Sequence, residues 1–73
     1  MPKLELFSTV ALLRDLPEHG LLRGQVGAVV EVYSPTDVEV EFVDSDGYTY
    51  GLLTLRAEDL ILLHHQPLTQ VAA

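Results

Sequence analysis

Three small groups of residues have types that could do chemistry, and each lacks a partner or a spacing that the chemistry needs. Asp44, Asp46 and Gly47 have the opening spacing of a calcium loop, in which oxygen ligands alternate before a glycine. The stretch that should supply the later ligands, Tyr48 to Leu55, is hydrophobic and holds no bidentate glutamate. A hairpin turn is the better reading. His64 and His65 are neighbours, and neighbours along an extended chain point to opposite faces, so they read as part of a polar tail. His19 lies beside Glu18 and Asp15 and could imitate an acid/base pair. The chain has no cysteine and no serine in a supporting context, so an exposed loop histidine is expected. No catalytic residue, metal site or cofactor is expected, and the chain does not read as an enzyme.

Two surface constellations remain. Glu31, Glu39 and Glu41 fall in β-like stretches, where pairing would gather them into one acidic patch. Either solubility or a basic partner would account for such a patch. Tyr33, Tyr48 and Tyr50 could dock an extended proline-rich peptide. Alternatively they complete the wall of the fold, with their hydroxyls reaching water. These six residues are the candidate protein-binding set.

Composition narrows the partner. Eleven acidic residues face only Lys3, Arg14, Arg23 and Arg56, for a formal net charge of −7. Nucleic acid binding rests on neutralising phosphates, so that balance disfavours it, and anionic membrane surfaces are disfavoured likewise. A protein with a basic face would instead be attracted. At 73 residues the chain is one domain, small enough that self-association would help it, although 48% of its residues are hydrophobic. With no cysteine, no leader-like start in MPKLELF and no bilayer-length apolar run, a cytoplasmic protein is expected.

The elements that must position these residues read as strands. Gly24 and Gly27, three apart, precede the β-branched run Val29, Val30 and Val32, which suits a sharp turn entering a bent strand over Val26–Tyr33. Before it, Leu4 to Arg14 could form a short helix. The breaker-rich loop behind it favours a strand from about Thr9 to Leu13, with Val10, Leu12 and Leu13 in the core. A loop over Asp15–Gly20 follows, and Leu21 and Leu22 anchor its far end. Val38 to Val43 gives the clearest pattern, with Val38, Val40 and Phe42 alternating with Glu39 and Glu41. Gly47 closes a hairpin into Tyr48–Leu55, where Gly51 marks a bulge or corner. Arg56–Asp59 fits a helical turn and Leu60–Leu63 a last short strand. Five short strands and one helical turn predict an all-β, five-stranded antiparallel SH3-like barrel over 1–63, with a flexible tail over 64–73. Its core is expected to hold Val10, Leu12, Val29, Val40, Phe42, Leu53 and Leu60.

The segment from Arg23 to Val32 resembles the G-x-x-G-x-V-x-x-V core of KOW-type SH3-like barrels. Taken whole, the chain resembles an uncharacterised bacterial family of short stand-alone proteins. The matching pieces are Val10 to Leu12, Asp15 to Leu21, Gly24 to Tyr33, Val40 to Thr49 and Leu52 to Leu55. The resemblance implies a barrel fold and no established activity, and it hints at an antitoxin-like or accessory role. KOW modules that bind nucleic acid present basic residues at the glycine-rich turn, where this chain has only Arg23. The leading expectation is a non-catalytic protein-binding module, an accessory, inhibitor or antitoxin-like partner of a more basic protein. The alternative is a KOW-like nucleic-acid or ribosome-associated module, which would need Lys3, Arg14 and Arg23 to converge.

Overall fold

Strict alternation sets the centre of the fold. In the computed structural model, which describes residues 3–64, β3 (Asp37–Val43) buries Val38, Val40 and Phe42 and turns Glu39 and Glu41 to the opposite face. That outcome follows from a side-chain period of two along an extended chain. The other strands are β1 (Thr9–Leu12), β2 (Val26–Val32), β4 (Thr49–Arg56) and β5 (Leu60–Leu62). They form one five-stranded sheet in the order β4-β3-β2-β1-β5, antiparallel at every pairing. A 3-10 turn at Pro17–His19 lies in the β1–β2 loop, and a second at Ala57–Asp59 precedes β5.

The all-β, five-stranded antiparallel architecture with a short helical turn before the last strand matches the expectation from sequence. Hydrogen bonding does not close the sheet, because β4 and β5 are its two edges. Two bulges curl it instead, one on β2 between Val29 and Glu31 and one on β4 opposite the Phe42–Val43 step. Bulges raise local twist and bend the strand that carries them. The curl brings Gly51 of β4 over the β1–β2 loop, where a Cβ on Gly51 would lie 3.7 Å from the Leu21 side chain.

The inner face holds the core. Val10, Leu12, Val29, Val40, Phe42 and Leu60 are buried as expected, while Leu53 on edge strand β4 is half-buried and packs against them. Leu16 and Leu21 join the core from the loop, where each donates its backbone N–H to the other's carbonyl, at 2.8 and 3.2 Å. That mutual bridge pinches the loop shut and drives both leucines inward. Two expectations fail here. Leu13 lies one residue beyond β1 and is exposed, because alternation sends it outward after buried Leu12. Leu22 is 60% exposed, so Leu21 alone anchors the far end of the loop. The tail expected over 64–73 lies outside the described residues apart from His64, which is exposed. Among the described residues, no helix is long and apolar enough to cross a membrane.

A candidate protein-binding face

The outer face of β2 and β3 gathers the three glutamates. Glu31 on β2 stands directly opposite Glu39 on β3, and Glu41 lies two residues further along the same face of β3. The local reason is the bulge. Val29 points inward, so unbroken alternation would turn Glu31 inward too. The extra residue, Val30, shifts the phase and presents Glu31 beside Glu39.

Like charges directly opposite on a sheet are unfavourable. Neighbouring hydroxyls offset part of this. Thr54 on β4 donates its Oγ1–H to Glu39 Oε1 at 2.6 Å, and the Tyr33 hydroxyl reaches the same oxygen at 3.4 Å. Thr49 donates to Glu41 Oε2 at 2.7 Å. The two threonines were not predicted as part of the patch. Locating them requires the β3–β4 register, which pairs Glu39 with Thr54, and no local motif carries that information.

Beside the glutamates lies an apolar region with Val26, Val43 and Leu52 all exposed. A shallow hollow of about 220 Å³, lined by Thr9, Val26, Gly27, Ala28, Glu41 and Val43, opens there. Gly27 and Ala28, both small, are among the residues that line it. Gly27 is also the tightest glycine of the sheet, since a Cβ there would sit 2.7 Å from Val40 Cγ1 and 2.8 Å from the Glu41 carbonyl oxygen. Gly24 and Gly47 hold φ of 92° and 89° in the turns before β2 and β4, a region that glycine enters without strain.

The tyrosines are not brought together. Tyr33 follows β2, where its N–H bonds to Asp37 at the start of β3. Tyr48 sits at the opposite end of β3, where its carbonyl accepts from Asp44. Seven residues of strand, about 23 Å, separate these ends. Tyr50 is the extra residue of the β4 bulge, with its ring 6.2 Å from Phe42 and its hydroxyl 3.4 Å from the Gln25 amide. The three tyrosines therefore do not form one compact aromatic cluster.

The remaining candidates for chemistry stay separate. Asp44 accepts backbone N–H bonds from Asp46 and Tyr48, which is the hydrogen bonding of a hairpin turn. His19 ends the 3-10 turn and is exposed. Among the described residues no group of three or more His, Asp or Glu side chains could hold a metal ion. Arg14 pairs with Asp59 at 3.1 Å, and that hydrogen bond, with the attraction of the carboxylate, raises the arginine above its ordinary pKa. Arg56 pairs with Glu58 at 3.2 Å.

The family described as "Domain of unknown function (DUF4926)" matches residues 6–62, which takes in every strand. The chain belongs to that family. No curated protein and no solved structure matches it.

Proposed function

We propose that this DUF4926 chain is a non-catalytic protein-binding module. The outer face of β2 and β3 meets the basic face of another protein, in an accessory, inhibitor or antitoxin-like role. The observation that carries this reading is the bulge that sets Glu31 opposite Glu39. A solubility surface has no need to place two carboxylates directly across a ladder, where they repel. A cationic partner turns that repulsion into attraction and speeds its own encounter. The strand order, with β1 flanked by β2 and β5, supports an SH3-like description of the fold. The absence of cysteine supports a reducing, cytoplasmic setting.

The nucleic-acid alternative draws little from the cations. Arg14 and Arg56 already sit on carboxylates, and the acidic face occupies the neighbouring strands. Gel shifts with DNA and RNA at physiological salt should show no retardation. The partner itself is sought by affinity capture from the native host at low salt, with mass spectrometry of the retained proteins. Association rates are then compared across ionic strength for wild type and for Glu31→Gln/Glu39→Gln/Glu41→Gln. The triple variant should associate more slowly and lose most of the salt dependence. Indistinguishable rates and slopes would mean that the patch only solvates the sheet.

A further inference from the structure

The open edge of β4 is the feature that the acidic-face reading does not use. At eight residues β4 is the longest strand among the described residues, and it lies at the rim of the sheet, where none of them pairs with its outer side. The other edge, β5, has three residues and is blunted by its shortness. From Thr49 to Arg56 the β4 edge carries no proline and no lysine, and after its bulge at Tyr50 it runs in regular register through Arg56. Proline, lysine and bulges are the devices that usually keep another strand from adding to an edge, and of these β4 carries only the bulge at Tyr50.

The phase of the edge follows from one hydrogen bond. The Ala57 N–H donates to the Thr36 carbonyl at 2.8 Å, which makes that pair hydrogen-bonded in continuation of Asp37 opposite Arg56. Antiparallel pairs alternate, so Leu55, Leu53 and Gly51 bond to β3, whereas Leu52, Thr54 and Arg56 turn their N–H and C=O groups outward.

We propose that this edge pairs with the β4 edge of a second copy, antiparallel about a two-fold axis, to give a continuous ten-stranded sheet. Charge within the strand favours a copy of itself. β4 holds no carboxylate in a chain of net charge −7. Its C-terminal end carries Arg56, and Asp44 and Asp46 lie in the hairpin at its N-terminal end. Antiparallel self-pairing sets each Arg56 toward the acidic hairpin of its mate. There Asp44 and Asp46 compete for it with Glu58, which pairs with Arg56 at 3.2 Å on the exposed surface. The centre of the seam is neutral, with exposed Leu52, half-buried Leu53 and Thr54. Three strand spacings, about 14 Å, would separate the two β3 glutamate rows, so salt screens most of their repulsion.

Sedimentation velocity from micromolar to millimolar protein tests this, with amide hydrogen exchange at both limits. Wild type should pass from monomer to dimer, and exchange at Leu52 and Thr54 should slow as it does. Thr54→Pro removes an outward N–H and spares the backbone bonds to β3, although it also removes the hydroxyl bond to Glu39. Leu52→Lys keeps that bond and puts a charge on the seam. Either variant should weaken association roughly tenfold or more while keeping the wild-type far-UV circular dichroism. If Thr54→Pro fails to fold, Leu52→Lys alone decides. A protein that stays monomeric to millimolar concentration overturns the proposal and leaves the edge to a strand from another protein. Dimers that persist equally in both folded variants overturn it as well, since they must use another face.

Discussion

β2 and β3 are both seven residues long and lie side by side, yet only β3 keeps a strict alternation of buried and outward residues. In β3 the same positions that build the core also fix where the glutamates go. In β2 the two tasks conflict, because Val29 must point inward and Glu31 outward from positions two apart. The bulge at Val30 resolves the conflict and adds the bend that a small curled sheet needs. A regular strand therefore couples core to surface, whereas a bulged one lets them be set separately.

Deleting one residue from each strand gives the largest expected contrast. Removing Val40 from β3 throws either Val38 or Phe42 onto the outer face and draws a glutamate inward. Cooperative thermal unfolding should vanish. Removing Val30 from β2 leaves Val29 inward and Glu31 outward in an ordinary ladder. That variant should fold, at a cost of about 1–3 kcal/mol for the lost bend and packing. Chemical denaturation measures both, and a Val30 deletion as damaging as the Val40 deletion would refute the account of the bulge.

Substitution within β3 should be nearly as severe. Phe42 is fully buried and touches the spaces above Gly27 and Gly51. Phe42→Ala should cost about 3–5 kcal/mol, enough to unfold most of so small a domain. Val43→Ala, one residue on and exposed, should stay within about 0.5 kcal/mol. A Phe42→Ala variant that melts no lower than Val43→Ala would refute the inward register of Phe42.

Gly27 tests how closely the two strands are packed. A methyl group there meets Val40 and the backbone of Glu41 at distances that real contacts do not tolerate. Gly27→Ala should cost about 1–3 kcal/mol, read from the denaturation midpoint. An unchanged midpoint would show that β2 and β3 separate more easily than their packing suggests.

The difference between the two strands also explains what the sequence revealed. β3 was legible because Val38, Val40 and Phe42 alternate with two glutamates, a pattern that physics reads without tertiary information. Its neighbours were legible to within about a residue at their ends from the glycine turns that precede them and, for β2, from its β-branched run. The β2 bulge was not, since Val29-Val30-Glu31-Val32 fits two phases equally and pairing with β3 decides between them. Leu16 escaped notice, and Leu21 was expected only as an anchor beside Leu22, because their burial depends on a bridge across the loop rather than on any period. Among the candidate site residues, the glutamates were predictable as a group once pairing was assumed. The separation of Tyr33 and Tyr48 was legible too, since Tyr33 ends the expected strand before β3 and Tyr48 follows the hairpin after it, at opposite ends of β3.

The smallest effect should come from the acidic face itself. Glu31, Glu39 and Glu41 are on the outer surface, and the Thr54 and Thr49 hydroxyls donate to the latter two. Glutamine keeps a carbonyl oxygen to accept those bonds and removes the charge. Glu31→Gln/Glu39→Gln/Glu41→Gln should therefore leave the fold intact and raise stability by about 0.2–1 kcal/mol, the scale of directly opposed like charges. The gain should shrink as salt is added, because screening already weakens the repulsion in the wild type. Urea denaturation at low and high ionic strength reads both quantities. A loss of stability at low salt would mean that the carboxylates hold the β2–β3–β4 face together through their hydroxyl partners. The bulge would then serve the fold, and the argument for a basic partner would lose its support.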